Sequence, residues 1–264
     1  MARPVCAAKE RAHGGTHIAK TAALLVILSR WYWNSPRISA YCPQRRAPRA
    51  AQDKEALHLA VHFHEEDLPD DVTFAEGAIA VDTEAMGLLP GRDRLCLVQL
   101  SDGGPEEHLV RFGPQSDYAA PNLKALLGDP NRLKLYHFGR FDIAIMRAYL
   151  GIIAAPVYCT RTASRLVRTY TDRHGLKELV KEMLATDISK QQQTSDWGAP
   201  ELNDAQRDYA ASDVRYLHRL KAKLDERLER EQRVELAQAC FDFLPHRALL
   251  DLAGWAEQDI FAHA

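Results

Sequence analysis

A ten-residue run beginning at Ile79, Ile-Ala-Val-Asp-Thr-Glu-Ala-Met-Gly-Leu, constrains this chain more than any other stretch. Its first three residues are apolar or small and predict a buried strand. Because a strand projects alternate side chains to one face, Asp82 and Glu84 would point the same way. Two carboxylates this close repel each other unless a cation lies between them, and oxygen-ligated divalent cations are the usual solution. The alternative is a strand end that meets solvent with two acids.

The length and composition are those of a globular protein. With 264 residues, 46% hydrophobic and 27% charged, the chain is long enough for one or at most two domains with a large core. The cysteines form no Cys-x-x-Cys pair and are odd in number, which argues against a zinc knuckle and a disulfide framework. We therefore predict a reducing, cytoplasmic location; the cysteines are Cys6, Cys42, Cys96, Cys159 and Cys240.

The formal net charge of −2 conceals an asymmetry along the chain. Residues 1–50 carry nine basic side chains and one acidic side chain, a net charge of +8. The remaining residues carry 25 basic and 35 acidic side chains, a net charge of −10. An acidic body excludes a broad basic surface as the means of binding nucleic acid. Any contact with phosphate must therefore come from a few basic side chains close together.

Residues 1–57 differ from the rest of the chain. Their apolar run, residues 22–28, is far shorter than the roughly 20 residues that span a bilayer, so no membrane association is expected. A signal peptide and an Arg-rich transit peptide are alternatives, although no convincing cleavage site follows the run. We predict a basic, disordered or non-native extension at 1–57, followed by a folded domain at 58–264.

The folded domain shows strands first and helices interleaved later, which predicts a mixed α/β fold. Three strands joined by short connections indicate an antiparallel meander, and a long helix is expected to begin after Asn203. The predicted strands are 59–64, 79–82, 94–100, 108–112 and 134–137. The predicted helices are 121–127, 140–150, 160–169, 175–184, 204–229, 233–243 and 249–259.

Two later stretches add acids to the first pair. Asp142 opens an apolar helix within His-Phe-Gly-Arg-Phe-Asp, where a first-turn acid also suits the helix dipole without any function. Tyr209 and Asp213 are four residues apart, so they share one helix face. Taken alone, that pair could equally be an exposed polar pair.

Taken together, these stretches resemble the tyrosine subtype of the DEDD superfamily of 3′→5′ exonucleases. The sister subtype has His five residues before the last acid, where this chain has Asp208. Further segments, Gly-Leu-Lys-Glu-Leu at 175–179 and Lys-Gln-Gln-Gln-Thr-Ser-Asp-Trp at 190–197, resemble ribonuclease D. The runs at 93–96, 137–142, 169–175, 241–245 and 260–263 are similar to the nanoRNase C group of small oligoribonucleases. The resemblance implies a ribonuclease H-like exonuclease fold, with a mixed central sheet flanked by helices.

The resemblance also implies two-metal phosphodiester hydrolysis with Mg²⁺ or Mn²⁺. Asp82 would bridge both ions, Glu84 and Asp213 would complete one site, and Asp142 would hold the second ion. Tyr209 would orient or deprotonate the attacking water. The implied function is a 3′→5′ exoribonuclease that hydrolyses oligoribonucleotides of two to a few nucleotides to nucleoside 5′-monophosphates. The alternatives are a trimming exonuclease on longer structured RNA or on DNA, and a binding module without catalysis.

Contacts to the substrate are predicted beside this machinery. Apolar side chains after the first acid pair could wedge against bases, although core packing would explain them as well. Polar and basic side chains could hold terminal phosphate or sugar oxygens. The candidates are Met86, Leu88, His137, Arg140, Lys190, Gln192 and Gln193, together with a local basic group at Arg161, Arg165, Arg168, Arg173 and Lys177. The resemblance further implies a closed homo-oligomer such as an octameric ring, with the C-terminal helices as the contact surface.

Removal of residues 1–56 should leave the melting temperature and the nuclease activity unchanged, because little in that segment can contribute to a core. Differential scanning fluorimetry and an RNA hydrolysis assay on the truncated and full-length proteins test this. A truncated protein that fails to fold or to cleave would show that the predicted boundary is wrong.

Overall fold

A six-stranded mixed sheet forms the centre of the molecule in the computed structural model, which describes residues 60–189 and 191–263. Its strands are β1 (Ala60–Glu65), β2 (Ile79–Ala85), β3 (Leu95–Ser101), β4 (Glu106–Arg111), β5 (Lys134–Tyr136) and β6 (Val157–Cys159). Across the sheet the order is β1-β4-β3-β2-β5-β6. The predicted antiparallel meander of β2, β3 and β4 is confirmed, whereas β1, β5 and β6 join it in parallel pairs. The predicted extension at 1–57 lies outside the described residues.

Seven helices are interleaved with the later strands or follow them in the described part of the chain. They are α1 (Pro121–Gly128), α2 (Arg140–Tyr149), α3 (Thr160–Val167), α4 (Leu176–Leu184), α5 (Asp204–Arg215), α6 (Leu217–Arg230) and α7 (Val234–Leu250). A short π-helical turn, Asp251–Trp255, continues from α7. Within residues 60–189 and 191–263, every helix is too short or too polar to cross a membrane.

Two sequence predictions about these elements are wrong. The predicted long helix at 204–229 is two helices, because the chain breaks at Tyr216, where φ is −103° and ψ is −5°. The prediction also missed β6, a three-residue strand that follows Pro156 and pairs with β5. A strand this short shows no alternation of polar and apolar residues, so periodicity cannot reveal it.

The C-terminal prediction is also wrong in its boundaries. Helix α7 does not end at Phe243 but continues through the buried Pro245 to Leu250. A proline normally interrupts a helix, but here Phe241 and Ala248 on either side of it are buried, and their packing keeps the helix continuous. The expected last helix at 249–259 is therefore only the end of α7 and the π-helical turn.

The acid-bearing strand β2 occupies an interior position in the sheet, between β3 and β5. Ile79 and Ala80, at its start, are fully buried and pair with β5. The pairing with β5 does not extend beyond Ala80, whereas the pairing with β3 continues to the end of β2. Asp82 and Glu84 therefore lie on a strand that is fixed on one side and open on the other, next to the start of α2.

Helix α5 packs across β2, β3 and β4 and is held there by a buried ion pair. The Arg215 guanidinium donates two hydrogen bonds to the Glu107 carboxylate on β4, with N···O distances of 2.7 and 3.2 Å. The Glu107 side chain is completely buried and that of Arg215 is 22% exposed. Because α5 also carries Tyr209 and Asp213, this pair fixes the side of the sheet on which those residues lie.

Replacing Arg215 by Met should lower the free energy of unfolding by about 3 kcal/mol, the lower end of the range for a broken buried pair, because Arg215 is partly exposed. The loss arises because Glu107 keeps a buried charge without a partner. Urea unfolding followed by circular dichroism measures it. The double variant Arg215→Met with Glu107→Leu should recover most of the loss, and a single variant as stable as the wild type would contradict the assignment.

Candidate active site

Three carboxylates from two elements converge on one face of β2. Asp82 and Glu84 point to the same face of the strand, and Asp213 reaches them from α5. One carboxylate oxygen from each lies within 4.8 Å of the others. The structure therefore brings together the acid pair and the last acid that the sequence singled out, although 129 residues separate Glu84 from Asp213 along the chain.

Helix α5 presents Tyr209 and Asp213 one turn apart on the face towards the sheet. The helix begins with a capping box, in which the Asn203 side chain accepts from the Gln206 backbone amide and Gln206 accepts in return. The Tyr209 ring lies beside the buried indole of Trp197, with 6.0 Å between ring centroids. The cap and this packing fix the direction in which both functional side chains point.

Asp142 supplies the fourth carboxylate from the first turn of α2. It is 5% exposed, and its Oδ1 accepts a hydrogen bond of 2.7 Å from the Thr83 hydroxyl, between the two acids of β2. The negative charge of Asp142 raises the pKa of Asp82. Thr83 was missed as a functional residue by sequence reasoning, because a Thr between two acids has no distinctive signal.

The pKa values of Asp82, Glu84 and Asp142 are raised, by burial in all three and also by repulsion in the first two. Burial is the largest cause for Asp82, followed by the charges of Asp142, Asp213 and Glu84. Burial also raises the pKa of Glu84, with further contributions from Asp213 and Asp142, and it raises the pKa of Asp142 to about 7. A bound cation would relieve this repulsion. The candidate ligands are all carboxylate oxygens, which would suit Mg²⁺ or Mn²⁺ better than zinc.

Asp82, Glu84 and Asp213 line an open cleft of about 710 Å³, whereas Asp142 is buried beside them with its carboxylate on Thr83. Met86 and Leu88 form its rim and are 53% and 85% exposed, so the structure places these two predicted contacts where a substrate can reach them. Arg161 and Lys177 bring positive charge to the cleft. The Arg161 guanidinium lies over the ring of Phe138, 4.4 Å from its centroid, and Phe138 was not predicted.

His137 also lines the cleft and is held from behind. Its Nδ1 lies 2.9 Å from the Thr160 hydroxyl, which in turn donates to the Tyr136 carbonyl oxygen. This contact holds the ring through Nδ1. The imidazole is thereby oriented at the cleft wall, and the contact of His137 with substrate stays a prediction.

Other predicted contacts lie elsewhere. Arg140 points away from the cleft and pairs with Asp251 near the C terminus. Gln192 is not among the cleft-lining residues, and its side chain accepts a hydrogen bond of 2.6 Å from the Ser195 hydroxyl, whereas the neighbouring Gln193 does line the cleft. The prediction for Lys190 falls outside the described residues.

Comparison with known proteins identifies the family. The sequence profile described as 3′-5′ exonuclease matches residues 61–229, well over half of the chain, and this segment contains all four acids and Tyr209. The chain belongs to the 3′-5′ exonuclease family. This membership confirms the predictions of a hydrolytic exonuclease and of a ribonuclease H-like fold.

Individual family members refine this placement. A ribonuclease D from Gluconacetobacter diazotrophicus is 36% identical over 162 residues, covering 61% of this chain and 40% of that protein. The NrnC structure from Brucella melitensis is 54% identical, covers 78% of this chain and 99% of NrnC, and has a TM-score of 0.75. It has also been solved bound to pGG and with bound Mg²⁺.

Ribonuclease D from Escherichia coli has a similar fold. Its structure is 29% identical to this chain, with a TM-score of 0.56, and is described as an exoribonuclease involved in structured RNA processing. The match covers 65% of this chain and 44% of that one. This chain thus spans about 40% of the length of the curated ribonuclease D relatives that it matches and nearly all of the solved NrnC.

Replacing Asp82 by Asn should raise the melting temperature of the protein in EDTA at about pH 8, because it removes one charge from a buried cluster of repelling carboxylates. The raised pKa values mean that the folded state binds protons more tightly than the unfolded state. The stability of the metal-free wild type should therefore fall as pH rises from about 4 to about 7, the pKa of Asp142.

Thermal melts in EDTA across this pH range, for the wild type and the variant, provide the measurement. The matched control is Asp172→Asn, in an exposed turn between α3 and α4, which should leave the pH profile unchanged. A wild-type melting temperature that does not depend on pH in EDTA would show that the carboxylates do not repel one another as described.

Proposed function

We propose that this protein is a two-metal 3′→5′ exoribonuclease that hydrolyses oligoribonucleotides of two to a few nucleotides to nucleoside 5′-monophosphates. The observation that carries the proposal is the convergence of Asp82, Glu84 and Asp213 at an open cleft, with Asp142 bonded to Thr83 between the first two acids. Membership of the 3′-5′ exonuclease family supports the reaction class.

The four carboxylates fit a pair of divalent cations. Asp82, Glu84 and Asp213 would hold one ion, and Asp142 together with Asp82 would hold the other. The ions, when bound, would stabilise the negative charge on the attacking and leaving oxygens of an in-line displacement. The Brucella melitensis NrnC solved with bound Mg²⁺ supports this choice of metal.

Tyr209 is assigned to the attacking water. Burial is the largest cause that raises the pKa of its hydroxyl above the ordinary value, and the charges of Asp213, Glu84 and Asp82 raise it further. The phenol is therefore protonated at neutral pH, and it lines the cleft next to these acids. In this position the phenol orients the attacking water through a hydrogen bond. It can accept a proton from that water only if a change in the local charge first lets the phenol lose its own proton.

Short RNA is favoured as the substrate by the charge distribution. The net charge of −10 beyond residue 50 offers little attraction to the many phosphates of a long chain. Arg161 and Lys177 in the cleft suffice to hold a terminal phosphate, while Met86 and Leu88 at the rim can contact bases. The NrnC solved bound to pGG supports the same choice.

A second candidate is a trimming exonuclease on longer structured RNA or on DNA. Similarity to the Escherichia coli ribonuclease D, described as involved in structured RNA processing, favours it. The cleft is open at its rim, so a longer strand can enter. The two functions use the same four acids and differ in the length of chain that the protein holds.

The predicted homo-oligomer and the cytoplasmic location remain part of the proposal. Phe243, Ile260 and Phe261 are exposed apolar side chains of the C-terminal region and offer a contact surface for a second copy. An octameric ring would reuse one such interface around the circle.

A dinucleotide should be cleaved faster than an RNA of about 20 nucleotides at equal concentration, because the cleft supplies few phosphate contacts for a long chain. The initial rates of both substrates at two salt concentrations provide the test, with only a modest salt effect expected on the dinucleotide. The variant Asp82→Asn should cleave neither and controls for contaminating nucleases. Faster cleavage of the long RNA by a protein that light scattering shows to be monomeric would favour the trimming exonuclease.

Replacing Tyr209 by Phe should lower kcat by about 10²- to 10⁴-fold, the usual contribution of a positioned proton-transfer group. The ring and its contact with Trp197 remain, so the melting temperature and the KM should change little. Steady-state kinetics on a dinucleotide, together with calorimetric titration of Mg²⁺, separate these effects. An unchanged kcat would leave Tyr209 a packing residue.

A further inference from the structure

Arg140 connects the start of α2 to the C-terminal end of the described chain. Its guanidinium donates through Nε to Asp251 Oδ2 and through Nη2 to Asp251 Oδ1, the latter at 2.7 Å. Nη2 also donates to the Ala256 carbonyl oxygen at 2.7 Å. The planar guanidinium thus makes a two-pronged, charge-assisted contact, which is the strong type of side-chain hydrogen bond.

Asp251 is shared by a second guanidinium from α7. Arg247 approaches Asp251 Oδ1 to 2.9 Å and donates to the carbonyl oxygens of Trp255 and Ala256 at 2.8 and 3.0 Å. The Asp251 side chain is only 11% exposed. Arg247 therefore holds the turn Asp251–Trp255 at its first side chain and at the carbonyl groups that end it. Asp251 is thus already fixed in position where Arg140 binds it.

The residues that lead into α2 provide few contacts that would fix the start of the helix. The residue before the helix, Gly139, provides no side-chain cap, and Phe138 before it has a φ of 72°, in the left-handed region. Gly139 lies so close to Tyr136 that a Cβ atom on it would come within 2.5 Å of the Tyr136 Cβ. The chain thus enters α2 through a tight turn whose geometry must be held by neighbouring groups.

Asp142 lies in the same first helical turn as Arg140. Its carboxylate must stay close to Asp82 while it is buried and repelled by the other acids. The Thr83 hydroxyl holds one of its oxygens. Arg140 holds the backbone of the turn from the other side, because its contacts with Asp251 and Ala256 fix the position of the helix start.

We infer that Arg140 and Asp251 are positioning residues for Asp142, so that the C-terminal turn takes part in metal binding although it contributes no ligand. The inference rests on the proposed function, in which Asp142 is a ligand of a divalent metal ion. It also gives Arg140 a task different from the substrate contact that the sequence predicted. Loss of the contact frees the first turn of α2 and moves Asp142 away from the arrangement in which it shares a cation with Asp82.

Calorimetric titration of Mg²⁺ into the full-length protein tests the inference without any activity assay. Asp251→Asn should weaken Mg²⁺ binding about tenfold, the lower end of the range for groups that orient metal ligands. Arg140→Lys, which keeps the charge but loses the two-pronged contact, should act in the same direction. The double variant Arg140→Lys with Asp251→Asn should be no weaker than the worse of these two single variants, because both act through one contact.

Asp225→Asn is the matched control, since it removes a carboxylate that pairs with Lys221 at 2.6 Å on α6, a helix with no cleft-lining residue. It should leave Mg²⁺ binding unchanged. Thermal melts establish that each variant is folded, and Arg140→Lys replaces Asp251→Asn if the latter is not. Folded Asp251→Asn and Arg140→Lys proteins that bind Mg²⁺ within twofold of the wild type would overturn the inference.

Kinetics on a dinucleotide then separate this inference from the proposed function. In the variants, kcat should fall at low Mg²⁺ and recover at high Mg²⁺, while the KM for the substrate stays close to that of the wild type. A wild-type protein that binds Mg²⁺ but hydrolyses no RNA would refute the proposed function. The effect of Asp251→Asn on Mg²⁺ binding would still decide the positioning role.

Discussion

The main constraint on this structure is that four carboxylates, which repel one another, must be held together in a largely buried site. Asp82, Glu84, Asp142 and Asp213 come together from β2, α2 and α5. Burial raises the pKa values of the first three, and the charges of neighbouring acids raise those of Asp82 and Glu84 further. Such an arrangement is unfavourable without a cation, so the rest of the fold must hold it in place. Under the proposed function, the protein gives up stability here for a site that would bind divalent metal ions, a common compromise at active sites.

Each element that carries an acid is held by a separate contact. The interior strand β2 is fixed by its pairing with β3, and α5 is held on the sheet by the buried pair of Arg215 and Glu107. Helix α2 begins beside the open edge of β2, with Arg140 bound to Asp251 at the far end of the chain. These contacts are independent of one another, and together they oppose the repulsion at the point where the three elements meet.

Similarity to known proteins and local geometry support different parts of the functional argument. The family profile covers the segment that contains all four acids, and this establishes the exonuclease family. The choice between short and long substrates rests instead on the cleft, where Arg161 and Lys177 bring the positive charge and Met86 and Leu88 form an apolar rim. Under the proposed function, the strongly acidic body leaves these few side chains to hold the phosphate.

The sequence by itself determined the strand with its two acids, the helix face shared by Tyr209 and Asp213, and most of the secondary structure, because these follow from local periodicity. It could not reveal β6, the break at Tyr216 or the continuation of α7 through Pro245, since tertiary packing overrides local signals there. Only the tertiary structure decided the partner of Arg140. The sequence placed this residue beside Asp142 and suggested a substrate contact, but its partner Asp251 lies 111 residues away, and no local pattern encodes a contact at that separation.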